Sequence, residues 1–600
     1  MQNINYSAKY DVIVLGFGGA GATAARFAAD NGAKVLLVDS APYGHEGGNT
    51  RYAAQLIATG EDYDKLKKYY EQLTAPMNLP KDIMEVYVKV MSNMREYVKK
   101  YLDVEPVSQK AIADKGDPNS AQIQLLKSII SEYPEFKGAE THDYTTVNSG
   151  FFNAALWKIL RQKVLDRKDK IDVWLNSPAL HLIQDPESKT IEGAVIKRDG
   201  KEVNVLAKNG VVLTVGGFEN NKEMIQNYLG FSNFAPLGTV YNYGDGVKMA
   251  AEVGAKMWHM WNYESLGMLH GLSFYTPEGQ HSILNLGSPL LSDGSVFVIA
   301  DDGKRYFKED EVNRHGHIFD HDQWRVPTSH QKIYLVFDET QLNKFRKNNT
   351  IPELDEKLIS ADSISELGKA IDVDSDNLAE TLNDYNQFAK AGRDYSFDRD
   401  PEHMSAFTGN KVYAVRLSNN ILNTQGGPER NVKAEIIDNN NTPIPHLFGA
   451  GELGGVCANQ YQGGENLAEC LIFGKIAGEN VAKVDNEVSV KASTELNGIN
   501  DLVAGEEENV SVGKNQYLGS STKGIGGKVV AKVTYTDDKI QKVEIVENHE
   551  SEDVAKKALK IVPDEIEKAN SIEVDAVSGA SATSRAIKEA VSEAIKKAKN

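Results

Sequence analysis

The sequence predicts an α/β fold in which a domain with a parallel sheet is interrupted by an inserted α+β domain and followed by a small α+β domain. Near the N-terminus, an apolar run, a glycine-rich turn, a helix-like segment and a second apolar run follow one another. Two more apolar runs, 210–217 and 447–452, lie far along the chain. A polar stretch, 484–510, then precedes a compact C-terminal module. Strands that alternate with helices are typical of parallel sheets.

The first strand–helix–strand unit occupies residues 11–39. Residues 11–15 (D-V-I-V-L) predict one buried strand and residues 33–39 (A-K-V-L-L-V-D) predict a second. The alanine-rich segment between them predicts a helix that stops at Gly32, because glycine readily adopts the left-handed conformation found after helix ends. Two strands joined by one helix are expected to be parallel.

A glycine motif lies between the first strand and this helix. Its glycines are Gly16, Gly18, Gly19 and Gly21. A turn without side chains lets a pyrophosphate approach the backbone, and the following helix N-terminus offers N–H groups and a positive dipole end. Asp39 ends the second strand, 18 residues after Gly21, where it suits a ribose hydroxyl. These residues predict dinucleotide binding by a Rossmann-like domain.

The later apolar runs predict that the N-terminal domain is discontinuous. In the C-terminal module, residues 529–535 and 542–546 predict strands, Ser551 predicts a helix N-cap and residues 586–599 predict the last helix. The predicted divisions are 1–265 and 406–485 for the Rossmann-like domain, 266–405 for an inserted α+β capping domain, 486–510 for a linker and 511–600 for the C-terminal α+β domain.

The composition excludes several classes of function. The formal net charge is −19, and an acidic surface repels nucleic-acid phosphates, so no nucleic-acid partner is expected. The two cysteines, Cys457 and Cys470, form no C-x-x-C pattern, which excludes a c-type haem and a cysteine-ligated iron–sulfur cluster within this chain. We expect no metal site. Without a signal-peptide pattern or a long apolar stretch, we expect a cytoplasmic protein with no membrane span.

Four further motifs resemble those of the fumarate reductase and 3-ketosteroid dehydrogenase family of flavoproteins. They are H-E-G-G-N-T-R at 45–51, V-G-G-F-E at 215–219, G-A-G-E-L-G-G at 449–455, and G-G-E-N-L at 463–467 leading into F-G-K-I-A-G at 473–478. The resemblance covers most of residues 9–485 and implies non-covalent FAD. Glu452 would bind its ribityl chain, and Leu467 would approach the pyrimidine end of the flavin. The implied cofactor-binding residues are Gly47, Gly48, Asn49, Thr50, Gly217, Glu452, Asn466 and Leu467.

The segment D-A-V-S-G-A-S-A-T-S at 575–584 resembles the flavinylation motif of FMN-binding domains. In these domains a flavin transferase attaches FMN to a serine or threonine hydroxyl through a phosphoester, so such a transferase is an expected partner. Matched position by position, the acceptor is Ser581, where most members have threonine, and Thr583 is a second candidate. The same residues also predict a helix N-terminus.

The inserted domain contains a G-K-R-Y-F-K-E stretch followed by an arginine, which resembles the catalytic segment of fumarate reductases. The resemblance implies that Arg314 donates a proton while flavin N5 delivers hydride, with Arg305 in the same site and Glu309 as a relay acid. The spacing from Glu309 to Arg314 departs from the family's by one residue, so His315 and His317 are alternative donors. Arg314 could instead form an ion pair or bind a substrate carboxylate.

Two substrate-binding positions depart from the fumarate reductases. Asn423 precedes T-Q-G-G where that family has histidine, and Tyr461 stands where it has an arginine that clamps a carboxylate. Both departures argue against fumarate and favour a larger, less charged α,β-unsaturated acid, an aryl acrylate such as a cinnamate. Tyr461 offers an aromatic wall or a phenol donor, or serves packing alone.

These observations predict a flavin-dependent reductase of a C=C bond. Electrons would pass from a separate flavoprotein or NADH-linked reductase to covalent FMN, then to FAD, then to the unsaturated acid. The alternatives are a fumarate reductase proper, a ketosteroid-type dehydrogenase, and a flavin electron carrier without an organic substrate.

Overall fold

The computed structural model describes residues 4–77, 79–150, 152–231, 234–267, 269–277, 279–282, 288–312, 314–320, 323–327, 331–351, 353–506 and 510–599. The chain divides into two units. The first contains residues 1–221, 238–262 and 424–600, and the second contains residues 222–237 and 263–423. The C-terminal domain therefore belongs to the first unit, and the second unit includes the predicted insert and extends beyond it.

An eight-stranded sheet forms the centre of the first unit. Six of its strands lie side by side in the order Glu435–Ile437, Pro443–Gly449, Lys201–Leu213, Tyr6–Leu15, Val35–Val38 and Ile171–Trp174. The other two are Ile191–Arg198, which pairs with Lys201–Leu213, and Ala179–Gln184. The five strands from Pro443–Gly449 to Ile171–Trp174 are parallel, which confirms the predicted α/β fold.

The parallel strands bring distant segments to one edge of the sheet. Leu15, Val38, Leu213 and Gly449 are the last residues of four of these strands. In parallel sheets the carboxyl ends share one edge, where ligands bind. The glycine motif, Asp39 and the motifs at 215–219 and 449–455 directly follow these strand ends and therefore meet there.

Two helices pack closely beside this edge. Gly19–Asp30 is alanine-rich and almost completely buried, and it packs against Glu465–Val481. A Cβ at Gly474 would lie 2.9 Å from the Ala20 carbonyl oxygen, so this crossing requires glycine. Other helices of the unit are Gly48–Tyr52, Tyr63–Thr74, Lys81–Met91, Met94–Tyr97, Gln109–Lys115, Ala121–Ile130, Ala155–Leu165, Asp245–Glu252 and Asp501–Glu506. A small sheet contains Ile57–Gly60, His142–Thr146 and Val107–Ser108.

The second unit contains a six-stranded sheet. Its strands are Ala235–Pro236, Val412–Ile421, Ile333–Asp338, Val296–Ile299, Leu272–Phe274 and Ile359–Ala361. Val412–Ile421 pairs with four of the others, so this unit continues past the predicted boundary at 405. The main helices are Glu339–Asn348, Leu354–Lys357, Ile364–Ala370 and Ser375–Ala391. The short strands Ile318–Asp320 and Gln323–Arg325 pair with each other in an antiparallel arrangement.

The C-terminal domain is a three-stranded antiparallel sheet with two helices. Its strands are Gln516–Gly524, Gly527–Thr536 and Lys539–Asn548, and its helices are Glu552–Ala569 and Ser581–Lys599. Apolar side chains from the sheet and from one side of each helix form its core, among them Val529, Ala531, Val533, Ile566 and Ile587. Ser551 occupies the predicted N-cap position, but its side chain makes no capping hydrogen bond.

The segment predicted as a linker lies along the main sheet, and we call residues 486–506 the strap. The Ser493 N–H donates to the Tyr6 carbonyl oxygen (2.9 Å), and the Asn497 side chain donates to the Lys9 carbonyl oxygen (2.7 Å). Asp501 accepts from the Leu175 N–H (2.8 Å) and pairs with Arg198. The strap is therefore bound to the N-terminal domain along much of its length.

Candidate functional site

The glycine turn has the geometry that a bound pyrophosphate needs. Gly16 has φ +100°, and a Cβ at Gly21 would overlap the Gly16 carbonyl oxygen. The helix that begins at Gly19 has Gly18 at its N-cap, so the N-cap residue itself brings no side chain to this end. Positive φ and close backbone approach both require glycine here. The turn therefore fits the phosphates of a dinucleotide.

Asp39 is oriented toward this turn. Its carboxylate accepts hydrogen bonds from the Phe17 N–H (2.5 Å) and the Ala41 N–H (2.7 Å). Burial raises the pKa of Asp39 to about 6, against the opposing effect of these two hydrogen bonds. Such a fixed carboxylate suits a ribose hydroxyl, as the sequence predicts.

Asn49 joins three motifs that are far apart in sequence. Its side-chain amide donates to Glu219 (2.6 Å) and to Glu452 (2.8 Å), and its oxygen accepts from the Thr239 N–H (2.9 Å). Asn242 also donates to Glu219 (2.9 Å). The site therefore brings together two carboxyl groups through one asparagine.

The two carboxyl groups are affected by burial and by each other. Burial raises the pKa of Glu219, and burial together with the Glu219 charge raises the pKa of Glu452 well above its usual range. A protonated Glu452 can both donate and accept, which suits the hydroxyls of a ribityl chain.

The remaining predicted FAD residues lie beside this cluster. The Gly19 N–H donates to the Thr50 hydroxyl (3.1 Å), and Gly18 and Gly47 form a parallel bridge. A Cβ at Gly217 would overlap the Thr424 hydroxyl. Other predicted residues in this part of the first unit are Gly48, which starts a short helix, and Asn466 and Leu467, which are buried in the first turn of another.

Tyr461 lies in a buried region of the first unit that is rich in tyrosine. Its side chain is 5% exposed. The next residue, Gln462, accepts from the Tyr69 hydroxyl (2.5 Å) and donates to the Tyr144 hydroxyl (2.8 Å). Burial raises the pKa of the nearby Glu465 to about 8. The surroundings are therefore aromatic, and the Glu132 carboxylate also lies among them, where it accepts from the Gly463 N–H (2.9 Å).

The C-terminal domain exposes one of its two candidate hydroxyls. Ser581 is exposed at the first residue of its helix, after Gly579 with φ +79°. Thr583 is 2% exposed, and its hydroxyl donates to Glu550. Glu550 also accepts from the Gly526 N–H (2.5 Å). An exposed hydroxyl that follows a glycine fits a phosphoester to FMN better than a buried, hydrogen-bonded one.

In the second unit, Arg305 and Glu309 form a buried ion pair. Arg305 makes two hydrogen bonds to Glu309 (2.8 and 2.6 Å) and two to Asp394 (3.2 and 2.9 Å). Arg399 lies 3.7 Å from Glu309. Paired charges of this kind hold the segment that leads to Arg314.

Arg314 follows this segment and is half-buried. Its guanidinium stacks over the Trp324 ring at 4.7 Å from the ring centre. His317 lies 3.3 Å from the Glu264 carboxylate. Burial lowers the pKa of His317 to about 4, so its imidazole is neutral near pH 7 and is a poor proton source.

Some residues that contribute to the candidate site were not predicted from the sequence. Glu219 lies in a motif that was recognised, and its position as the acid after G-G-F could have identified it. Asp394 lies far from the catalytic segment in sequence, Trp324 lies in the short strand Gln323–Arg325, and no spacing pattern indicates either residue. Asn423 is buried in a short strand, Asn423–Thr424.

Among the described residues, no group of histidine, cysteine and acidic side chains has the arrangement of a metal site. None of the described helices is both long enough and apolar enough to cross a membrane.

Comparison with known families agrees with the two predicted cofactors. Residues 11–467 match the FAD binding domain family, and residues 524–596 match the FMN-binding domain family. The glycine turn, Asp39 and the Asn49 cluster fit the first, and Ser581 fits the second. The prediction of FAD and FMN is confirmed.

Curated relatives are similar over about four fifths of the chain. A probable fumarate reductase from Shewanella frigidimarina is 27% identical and covers 79% of this chain and 74% of its own length. An NADH:acrylate oxidoreductase from Vibrio harveyi is 26% identical over 79% of this chain and 50% of its own length. A vinyl phenol reductase from Lactiplantibacillus plantarum is 22% identical over 79% of this chain and 95% of its own length.

Solved structures share the fold. A flavocytochrome c3 fumarate reductase in its open conformation has a TM-score of 0.57 and 24% identity, covering 80% of this chain and 79% of its own. A 3-ketosteroid delta1-dehydrogenase from Sterolibacterium denitrificans has a TM-score of 0.59 and 20% identity, covering 79% of this chain and all of its own.

Proposed function

This chain belongs to the FAD binding domain family and carries an FMN-binding domain, and from that premise we propose that it reduces the C=C bond of an aryl acrylate in preference to fumarate. It is a flavin-dependent oxidoreductase. The names of its relatives include reductases of fumarate, acrylate and vinyl phenol, and these support C=C reduction.

The observation that carries the preference is Tyr461. A tyrosine stands where fumarate reductases have the arginine that clamps a carboxylate, and it is buried among other tyrosines. A phenol ring offers an apolar face to an aryl group and no positive charge to a second carboxylate. Asn423 stands in place of a histidine, so a second group that could bind a substrate carboxylate is also absent.

In this proposal, separate groups of residues bind the cofactor and supply the proton. The glycine turn, Asp39 and the cluster of Asn49 and Glu452 bind and orient FAD. FAD supplies hydride when it is bound, and FMN supplies electrons to it. Arg314 holds a proton for the substrate, and stacking on Trp324 fixes the guanidinium.

Arg305 and Glu309 have a supporting role in this proposal. Arg305 donates to both Glu309 and Asp394, and Glu309 also accepts from the Val298 N–H (3.3 Å), so we propose that the pair positions the segment bearing Arg314. Ser581 carries FMN after a flavin transferase has acted. A separate flavoprotein or NADH-linked reductase supplies the electrons.

To test the proposal, the two-flavin protein is reduced with dithionite in the absence of oxygen and then mixed with each of a panel of unsaturated acids. The flavin absorbance measures how fast each acid reoxidises it. We expect cinnamates to reoxidise it faster than fumarate. Arg314→Ala should slow this step by about 10²–10⁴-fold, the usual contribution of a positioned acid. The exposed Arg393 provides a matched control, because Arg393→Ala should leave the rate of reoxidation unchanged.

Other outcomes decide among the alternatives. Faster reoxidation by fumarate would contradict the argument from Tyr461. Reoxidation by no acid, with reduction by a 3-ketosteroid, would favour a ketosteroid-type dehydrogenase. Reaction with dyes alone would favour an electron carrier.

A further inference from the structure

The C-terminal domain contacts the N-terminal domain at a surface that we call the docking face. It consists of Tyr43, Gly44, Arg51 and Tyr52 on one side and His549 and Ser551 on the other. Arg51 Nη2 donates to the His549 carbonyl oxygen (2.6 Å), and the Tyr52 hydroxyl lies 3.2 Å from Ser551 Oγ. Ser551 therefore uses its side chain for this contact and not for capping its own helix.

The fit at the docking face is close. The Tyr43 and His549 rings meet edge to face, with centres 4.7 Å apart. Gly44 has φ +81°, and a Cβ there would overlap the His549 side chain. Tyr43 also donates to Glu506 at the end of the strap (2.9 Å). The end of the strap is therefore held beside the docking face.

The same short segment contacts the FAD site. Asn49 and Thr50 bind Glu452 and the Gly19 N–H, and the next residues, Arg51 and Tyr52, bind the C-terminal domain. All four belong to one helical turn, Gly48–Tyr52. Because the turn is so short, fixing the conformation of one end restricts the conformation of the other end.

The far side of the docking face leads to the FMN acceptor. Glu550 follows His549 and accepts from Thr583, two residues after Ser581. Arg585 is exposed one turn after Ser581, on the same face of its helix. Burial lowers the pKa of Lys158, in the N-terminal domain, to about 8, and the charges of Glu550, Arg51 and Arg585 affect this pKa less than burial does. Such cations suit the phosphate of FMN.

We propose that Arg51 is a positioning residue that docks the FMN-carrying domain beside the FAD site, and that FAD binding and docking stabilise each other. The inference rests on the proposed function only for the direction of electron flow. In the docked form, FMN held at Ser581 would supply two electrons to FAD held at the glycine turn, and the accompanying protons would exchange with water. Linkage requires that each event favours the other by the same factor.

Hydrogen exchange of the full-length protein tests docking without any substrate. We expect the amides of 547–551 to be protected when FAD is bound and to exchange faster after FAD is removed. Arg51→Lys should increase their exchange about tenfold or more with FAD bound, because a charge-assisted hydrogen bond is lost. The matched control is Arg393→Lys, at an exposed position of the second unit.

A second variant lies outside the FAD site. Ser551→Ala removes the contact with Tyr52 and leaves every FAD-binding residue unchanged, so it should increase the same exchange while FAD content stays at the wild-type level. Equal protection with and without FAD, or exchange in both variants equal to the control, would overturn the proposal. These results do not depend on whether any acid is reduced, so failure of docking and failure of the proposed function are distinguishable.

Discussion

At the scale of single residues, the two candidate hydroxyls differ in exposure. Ser581 is exposed and Thr583 is buried and bonded to Glu550. We expect Ser581→Ala to abolish covalent FMN, because a transferase can reach only the exposed hydroxyl. Flavin fluorescence of the denatured protein on a gel, with intact mass, measures the attachment.

Thr583→Ala is the matched variant. It should keep covalent FMN and lower the stability of the C-terminal domain by about 1–3 kcal/mol, since Glu550 loses a buried partner. Loss of FMN in Thr583→Ala with retention in Ser581→Ala would reverse the assignment.

The site residues illustrate what sequence can predict at this scale. The glycines and Asp39 follow from the chemistry of a pyrophosphate and a ribose, which constrains a short stretch of chain. Asn49 is also predicted, but its two carboxylate partners lie 170 and 403 residues away. Contacts over such distances depend on the whole fold and have no local signature.

At the scale of elements, two effects oppose each other at Glu465. It is the first residue of the helix Glu465–Val481, whose dipole favours a negative charge, yet burial raises its pKa from 4.5 to about 8. Because the folded pKa is raised, the stability from this group is present below pH 4.5 and is lost as the pH rises toward 8.

Glu465→Gln should remove this loss of stability at higher pH. We expect the free energy of unfolding to match wild type near pH 5 and to exceed it by roughly 2–4 kcal/mol near pH 8. Denaturant unfolding at both pH values measures it. The exposed Glu380 gives the control, Glu380→Gln, and an equal difference at both pH values would contradict the explanation.

Element boundaries were less predictable than element types. The strands within 529–535 and 542–546 were predicted from alternation and are present. The sheet of the second unit continues through Val412–Ile421, because this strand pairs with partners far earlier in the chain. Local pattern identifies a strand but not the sheet that it joins.

At the scale of the whole molecule, the strap makes the N-terminal domain depend on residues beyond its last helix. A chain that ends at Glu506 should unfold at a temperature about 5 °C or more above one that ends at residue 485, because several hydrogen bonds to the sheet are kept. Thermal unfolding of both FAD-loaded forms measures this.

Asp501→Asn in the longer form gives an intermediate case, since it weakens the pair with Arg198. Equal unfolding temperatures of the two lengths would show that the strap adds no stability. Polar composition predicted a linker here, and composition alone does not tell whether a polar segment hydrogen-bonds to a neighbouring sheet.

The anchoring of Glu506 also fixes the kinetic order of electron delivery. Glu506 is held by Tyr43 and Arg161, and the C-terminal domain is described again from Val510, four peptide units later, which span at most about 14 Å. While that anchor holds, we expect an FMN on this domain to deliver electrons to the FAD of its own chain. We therefore expect the transfer to be unimolecular, with a rate constant independent of protein concentration.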